Sequence, residues 1–105
     1  MFSAASETLV INRTVEISSA PTMLRVRDEQ LLIERDGSIA GTIPLEDIGL
    51  LVIDELQTIV SARALQGLLD HQGVVIICDK KHLPAGMLVP FVSHANLQPR
   101  RWSGH

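Results

Sequence analysis

The chain has 105 residues, 46% apolar and 20% charged, which suits one small globular domain and leaves no room for a second. Its formal net charge of −3 excludes a broad cationic field that would draw it unaided onto nucleic acid or an anionic membrane. The aromatics are confined to Phe2, Phe91 and Trp102, too few for the stacking platforms of a single-strand binder.

Residues 1–8 mix small and polar side chains without a period and read as a disordered leader. From Leu9 the apolar Leu9, Ile11, Val15 and Ile17 alternate with Asn12, Thr14 and Glu16, the two-residue period of a half-buried strand interrupted at Arg13. Residues 18–21 break it, and Leu24 and Val26 then alternate with Arg25 and Arg27 in a second strand whose outer face is basic. Asp28-Glu29 separates this strand from a third over residues 30–35, close enough to force an antiparallel hairpin. Asp36-Gly37 tolerates the positive φ angles of a type I′ turn, so residues 39–43 return as a fourth strand.

Pro44 and the acids Glu46 and Asp47 predict a short helical turn ended by Gly49. Residues 50–53 form an apolar, branched run that reads as a central strand covered on both faces. The expected cover is a helix capped by Ser61, with Ala62, Leu65, Leu68 and Leu69 on one stripe and Gly73 beyond its end. Val74–Cys78 is a further buried strand, and strand, helix and strand across residues 50–78 imply a parallel crossover. After Lys80-Lys81-His82, the breakers Pro84, Gly86 and Pro90 leave a short extended piece at residues 87–89. The expected fold is α+β: a β-rich, sandwich-like domain over residues 9–91 with a mixed sheet, antiparallel hairpins and one packed helix.

Cys78 is the lone cysteine, the N-terminus lacks a secretory signal, and the longest apolar run is far short of a bilayer span. A cytoplasmic protein without a membrane partner is expected. His71, Cys78, Asp79 and His82 are residue types that bind zinc, but their spacing matches no closed tetrahedral pattern. Cys78 is expected to pack as a small hydrophobe, His71 to favour a helix C-terminus and His82 to be a loop residue. The pairs Glu46-Asp47 and Asp54-Glu55 read as a helical turn and a solvated strand end, since neighbours on a strand point apart. No serine has the flanking glycines of a nucleophile elbow, and no glycine loop cradles phosphate. Neither a catalytic residue nor a metal site is expected in this chain. Basic residues cluster at Arg25 and Arg27, at Lys80 and Lys81, and at Arg100 and Arg101; each cluster is either a phosphate contact or a solvated face.

Residues 42–53, Thr-Ile-Pro-Leu-Glu-Asp-Ile-Gly-Leu-Leu-Val-Ile, resemble a signature early in the CRISPR-associated spacer-acquisition integrase, the universal adaptation nuclease. Residues 13–17 resemble the first strand of its type II branch. Leu31-Leu32-Ile33 with Asp36-Gly37 is similar to its second hairpin, and residues 76–87 to its Cys-Asp, His-Leu-Pro and Gly-Met run. Asp28-Glu29 stands where an Asn-Gly turn is common. The resemblance spans about residues 12–98 and implies the family's N-terminal β-rich domain, which pairs two subunits and braces duplex DNA. It implies that the metal-binding acids and histidine belong to a following helical domain, so that His94 and His105 are not catalytic. Residues 92–105 are then the linker and the start of that domain. The parent would use Mg²⁺ or Mn²⁺ to cut and join double-stranded DNA, with no cofactor in this chain. It would meet a small dimeric CRISPR adaptation partner through the other domain. The alternative is a free-standing α/β protein-interaction module without a nucleic-acid role.

Overall fold

The computed structural model describes residues 13–91. The expected leader, the strand residues Leu9 and Ile11, and the tail with Arg100 and Arg101 lie outside them. In chain order the elements are β1 (Arg13–Ile17), β2 (Met23–Arg27), β3 (Gln30–Arg35), β4 (Ser38–Pro44), a 3₁₀ turn (Leu45–Asp47), β5 (Ile48–Ile53), β6 (Ile59–Val60), α1 (Ala62–Asp70), β7 (Val74–Cys78) and β8 (Pro84–Leu88).

The strands divide into two sheets of four, ordered β1-β5-β7-β8 and β4-β3-β2-β6. The first is parallel across β1, β5 and β7 with β8 antiparallel at its edge. The second holds both expected hairpins, plus the two residues of β6 laid parallel to β2. The fold is thus the expected β-rich α+β class, with two mixed sheets. In both hairpin turns the central residues have positive φ: Asp28 (53°) and Glu29 (61°), then Asp36 (54°) and Gly37 (78°). That backbone twist matches the twist of the flanking strands. Asp28-Glu29 keeps the turn although neither residue is glycine.

One core lies between the sheets. Ile17, Leu51, Ile53 and Val75 from the first sheet meet Leu24 and Leu31 from the second and Ala64 and Leu68 from α1. The cover of β5 is therefore one-sided. Leu50, Val52, Val74 and Ile76 occupy the other face of the first sheet and stay half-buried, because α1 joins the core shared with the second sheet. The buried stripe of α1 is Ala64 and Leu68, four residues apart, while Ala62 is exposed. Ser61 caps the helix, its side chain accepting from the Ala64 N–H at 3.0 Å.

The helix ends in paired reverse bonds: Gly73 N–H donates to Leu68 O and Gln72 N–H to Leu69 O. Gln72, at φ 67°, is the left-handed residue. Gly73 serves space instead, since a Cβ there would lie 3.0 Å from Ile48 O and 3.1 Å from Leu68 O.

Candidate nucleic-acid interface

The basic candidates separate. Arg25 and Arg27 project from the outer face of the second sheet, where Arg25 forms an ion pair with Glu34 across β2 and β3. That pair neutralises Arg25; Arg27 is exposed beside the Asp28-Glu29 turn. The turn touches the C-terminal end of α1, with His71 Nε2 3.2 Å from Glu29 Oε1. His71 precedes β7, whereas Lys80 and Lys81 follow it. The two described basic sites therefore sit at opposite ends of β7 and do not merge into one patch.

Lys80, Lys81 and His82 form the loop of the β7–β8 hairpin, and all are exposed. Asp79 organises them: its carboxylate accepts from the Lys81 N–H at 2.8 Å and the Leu83 N–H at 3.1 Å. His82 is more than a loop residue, because its Nδ1 lies 2.9 Å from Oδ1 of Asp54. The hydrogen bond to Asp54 and that carboxylate's charge hold the His82 imidazolium above the usual histidine range, with Asp79 and Glu55 adding to the effect.

Asp54, expected at a solvated strand end, is instead largely covered, its side chain 15% exposed. Cys78 is buried at the end of β7, as a small hydrophobe would be. Burial first, and then the charge and hydrogen bond of Asp54, push its thiol up from the ordinary value. The Asp54–His82 pair was missed in the sequence. Its signal was present in the opposite charges closing β5 and the β7–β8 loop, but only strand order makes them neighbours.

The four zinc-type residues do not converge. His71 faces Glu29 while His82 faces Asp54, and among the described residues no group of three or more His, Cys, Asp or Glu could hold a metal ion. The described residues therefore do not fit the divalent ion that the resemblance implies for the parent. No helix among them is long and apolar enough to cross a membrane.

Two mixed sheets closed by one helix, with charged hairpin tips at opposite ends, define a small β-rich α+β domain. Residues 15–102 match the family described as CRISPR associated protein Cas1. The chain belongs to that family, as an N-terminal domain of it. It is 34% identical over 71 residues to the CRISPR-associated endonuclease Cas1 of Neisseria meningitidis serogroup C (strain 8013), a match covering 68% of this chain and 23% of the relative. That relative agrees with the type II branch. The chain thus spans about a quarter of the length of the curated relative it matches.

Among solved structures, a partial Cas6-RT-Cas1–Cas2 complex contains a chain similar over 86% of this one and 25% of its own length, with TM-score 0.70 and 20% identity. A TtCas1–DNA complex is similar over 84% of this chain and 33% of its own, with TM-score 0.62 and 11% identity. At those identities the likeness shows the fold.

Proposed function

We propose that this chain is the non-catalytic, dimerising and DNA-bracing domain of a cytoplasmic CRISPR adaptation integrase that captures foreign DNA and inserts it as spacers. The observation that carries this reading is the match of residues 15–102 to the Cas1 family. The metal-dependent cutting and joining belongs, in this reading, to the part of the relatives that this chain does not span, together with its Mg²⁺ or Mn²⁺. The similar Cas1–Cas2 complex supports a small CRISPR partner for the parent, and the similar Cas1–DNA complex supports DNA as its substrate.

The edge strand β8 supports pairing with a second copy. Residues 83–91 carry no charge, β8 is exposed along most of its length, and among the described residues no strand lies on its edge away from β7. Backbone groups on such an edge pair readily with an identical edge, and a two-fold axis makes the contact self-complementary. For DNA, Lys80 and Lys81 at one tip and Arg27 at the other end of β7 would grip phosphates, with Arg100 and Arg101 as further contacts, while Arg25 is engaged by Glu34.

Anisotropy with a labelled duplex over a salt series tests this reading. Replacing Arg27, or Lys80 and Lys81 together, by Ala is expected to weaken binding and to reduce the salt slope by about 1 for each phosphate no longer neutralised. Wild-type affinity in both variants would remove these residues from the contact, and no duplex binding by the unaltered chain would return it to a protein-interaction role. The same duplex incubated with Mg²⁺ or Mn²⁺ should remain intact; cleavage that persists after contaminating nucleases are removed would overturn the non-catalytic reading.

A further inference from the structure

The loop of the β7–β8 hairpin is fixed without the His82 ring. Asp79 N–H donates to Leu83 O at 2.8 Å, His82 N–H donates to Asp79 O at 2.9 Å, and the Asp79 carboxylate ties down two further N–H groups. This closure leaves the last loop residue in the left-handed region, a position that favours glycine. His82 occupies it at φ 66°. Here its ring reaches from the tip to Asp54, just past the end of β5.

Asp54 is a firm anchor: its N–H donates to Ile17 O at 2.8 Å, and its carboxylate is largely shielded from water. The other ionisable groups acting on this corner are Glu55 after β5, Asp79 in the loop, Cys78 at the end of β7 and Glu16 on β1. The surroundings of the two lysines are therefore acidic. The Asp54 charge acts next to Lys81, since the following residue, His82, lies 2.9 Å from that carboxylate.

We infer that His82 and Asp54 form a proton-operated clasp that arms the Lys80-Lys81 tip for the phosphates of duplex DNA. With the ring protonated, Asp54 is neutralised and the tip is drawn onto β5. With the ring neutral, the Asp54 charge near the tip is uncompensated and the tip loses its ionic tie to β5, while Asp79 keeps the loop's own shape. The inference rests on the reading of that tip as a duplex contact. His82 is a positioning residue in this scheme; the lysines touch the DNA. The Asp54 contact keeps the ring protonated to higher pH than a free histidine, which puts the switch within reach of physiological change.

The test measures the affinity of the 105-residue chain for a labelled duplex of mixed sequence between about pH 6 and about pH 8 at fixed salt. Wild type is expected to bind up to about fivefold tighter at the acid end, the scale of one exposed charge–charge contact. His82→Gly, the residue the backbone favours, should fold and lose most of that difference. Asp54→Asn should move the pH midpoint down, and NMR titration of the His82 ring should show the same displacement. Lys80→Ala with Lys81→Ala should weaken binding across the whole pH range. If that double variant is weakened while His82→Gly keeps the wild-type pH profile, the clasp is overturned and the tip contact stands. If the double variant binds like wild type, the tip contact fails and the inference falls with it.

Discussion

At the scale of single residues, two of the left-handed positions carry more than turns. Glu29 and His82 both hold positive φ where glycine or asparagine would be easier, and each sends its side chain to another element, Glu29 to His71 and His82 to Asp54. The His82 contact sets a sign for stability against pH. The pKa of His82 in the folded chain lies above its ordinary 6.5, so the stabilisation is complete below that value and is lost as pH rises through the raised one. Melting temperatures of wild type and His82→Gly should therefore differ most in favour of wild type at acid pH; a pH-independent difference would mean that the ring contact contributes nothing. Gly73 gives a second prediction. Its absent Cβ would press on two backbone carbonyls, Ile48 O and Leu68 O, which cannot swing aside as a side chain can. Gly73→Ala should cost about 1–3 kcal/mol in denaturant unfolding.

At the scale of elements, local chemistry decides what forms and distant pairing decides where it goes. The Asp36-Gly37 turn, the Ser61 cap, the Pro44-led 3₁₀ turn and the parallel pairing of β5 with β7 were all legible, because each follows from turn, cap or periodicity within a short window. Ser61→Ala should cost about 1 kcal/mol in thermal or denaturant unfolding, the usual value of a missing cap. Three features were not legible. β6 is too short, at two residues, to show a period. The division into two sheets depends on β1 joining β5 across three intervening strands, which no local pattern encodes. Asp54 looked solvated because its side-chain partner, His82, is 28 positions away. The candidate site was half legible for the same reason: Lys80 and Lys81 stand out in the sequence, whereas the Asp54–His82 pair beside them does not.

At the scale of the whole molecule, two kinds of surface remain open. Basic residues mark opposite ends of β7, so a duplex contacting both would have to run along the domain or bridge two copies. The uncharged β8 edge and the half-buried face of Leu50, Val52, Val74 and Ile76 offer a second copy backbone partners and apolar cover. A charge on that edge, Met87→Lys, should shift a micromolar sample toward monomer, as such charges blunt edge pairing in other sheets. In the proposed function this domain pairs with its own copy and braces a duplex. Light scattering of the chain, alone and with a short DNA duplex, measures both parts at once. The expected masses are those of a dimer in the first sample and of a dimer plus duplex in the second. A monomer that elutes apart from free DNA would contradict it.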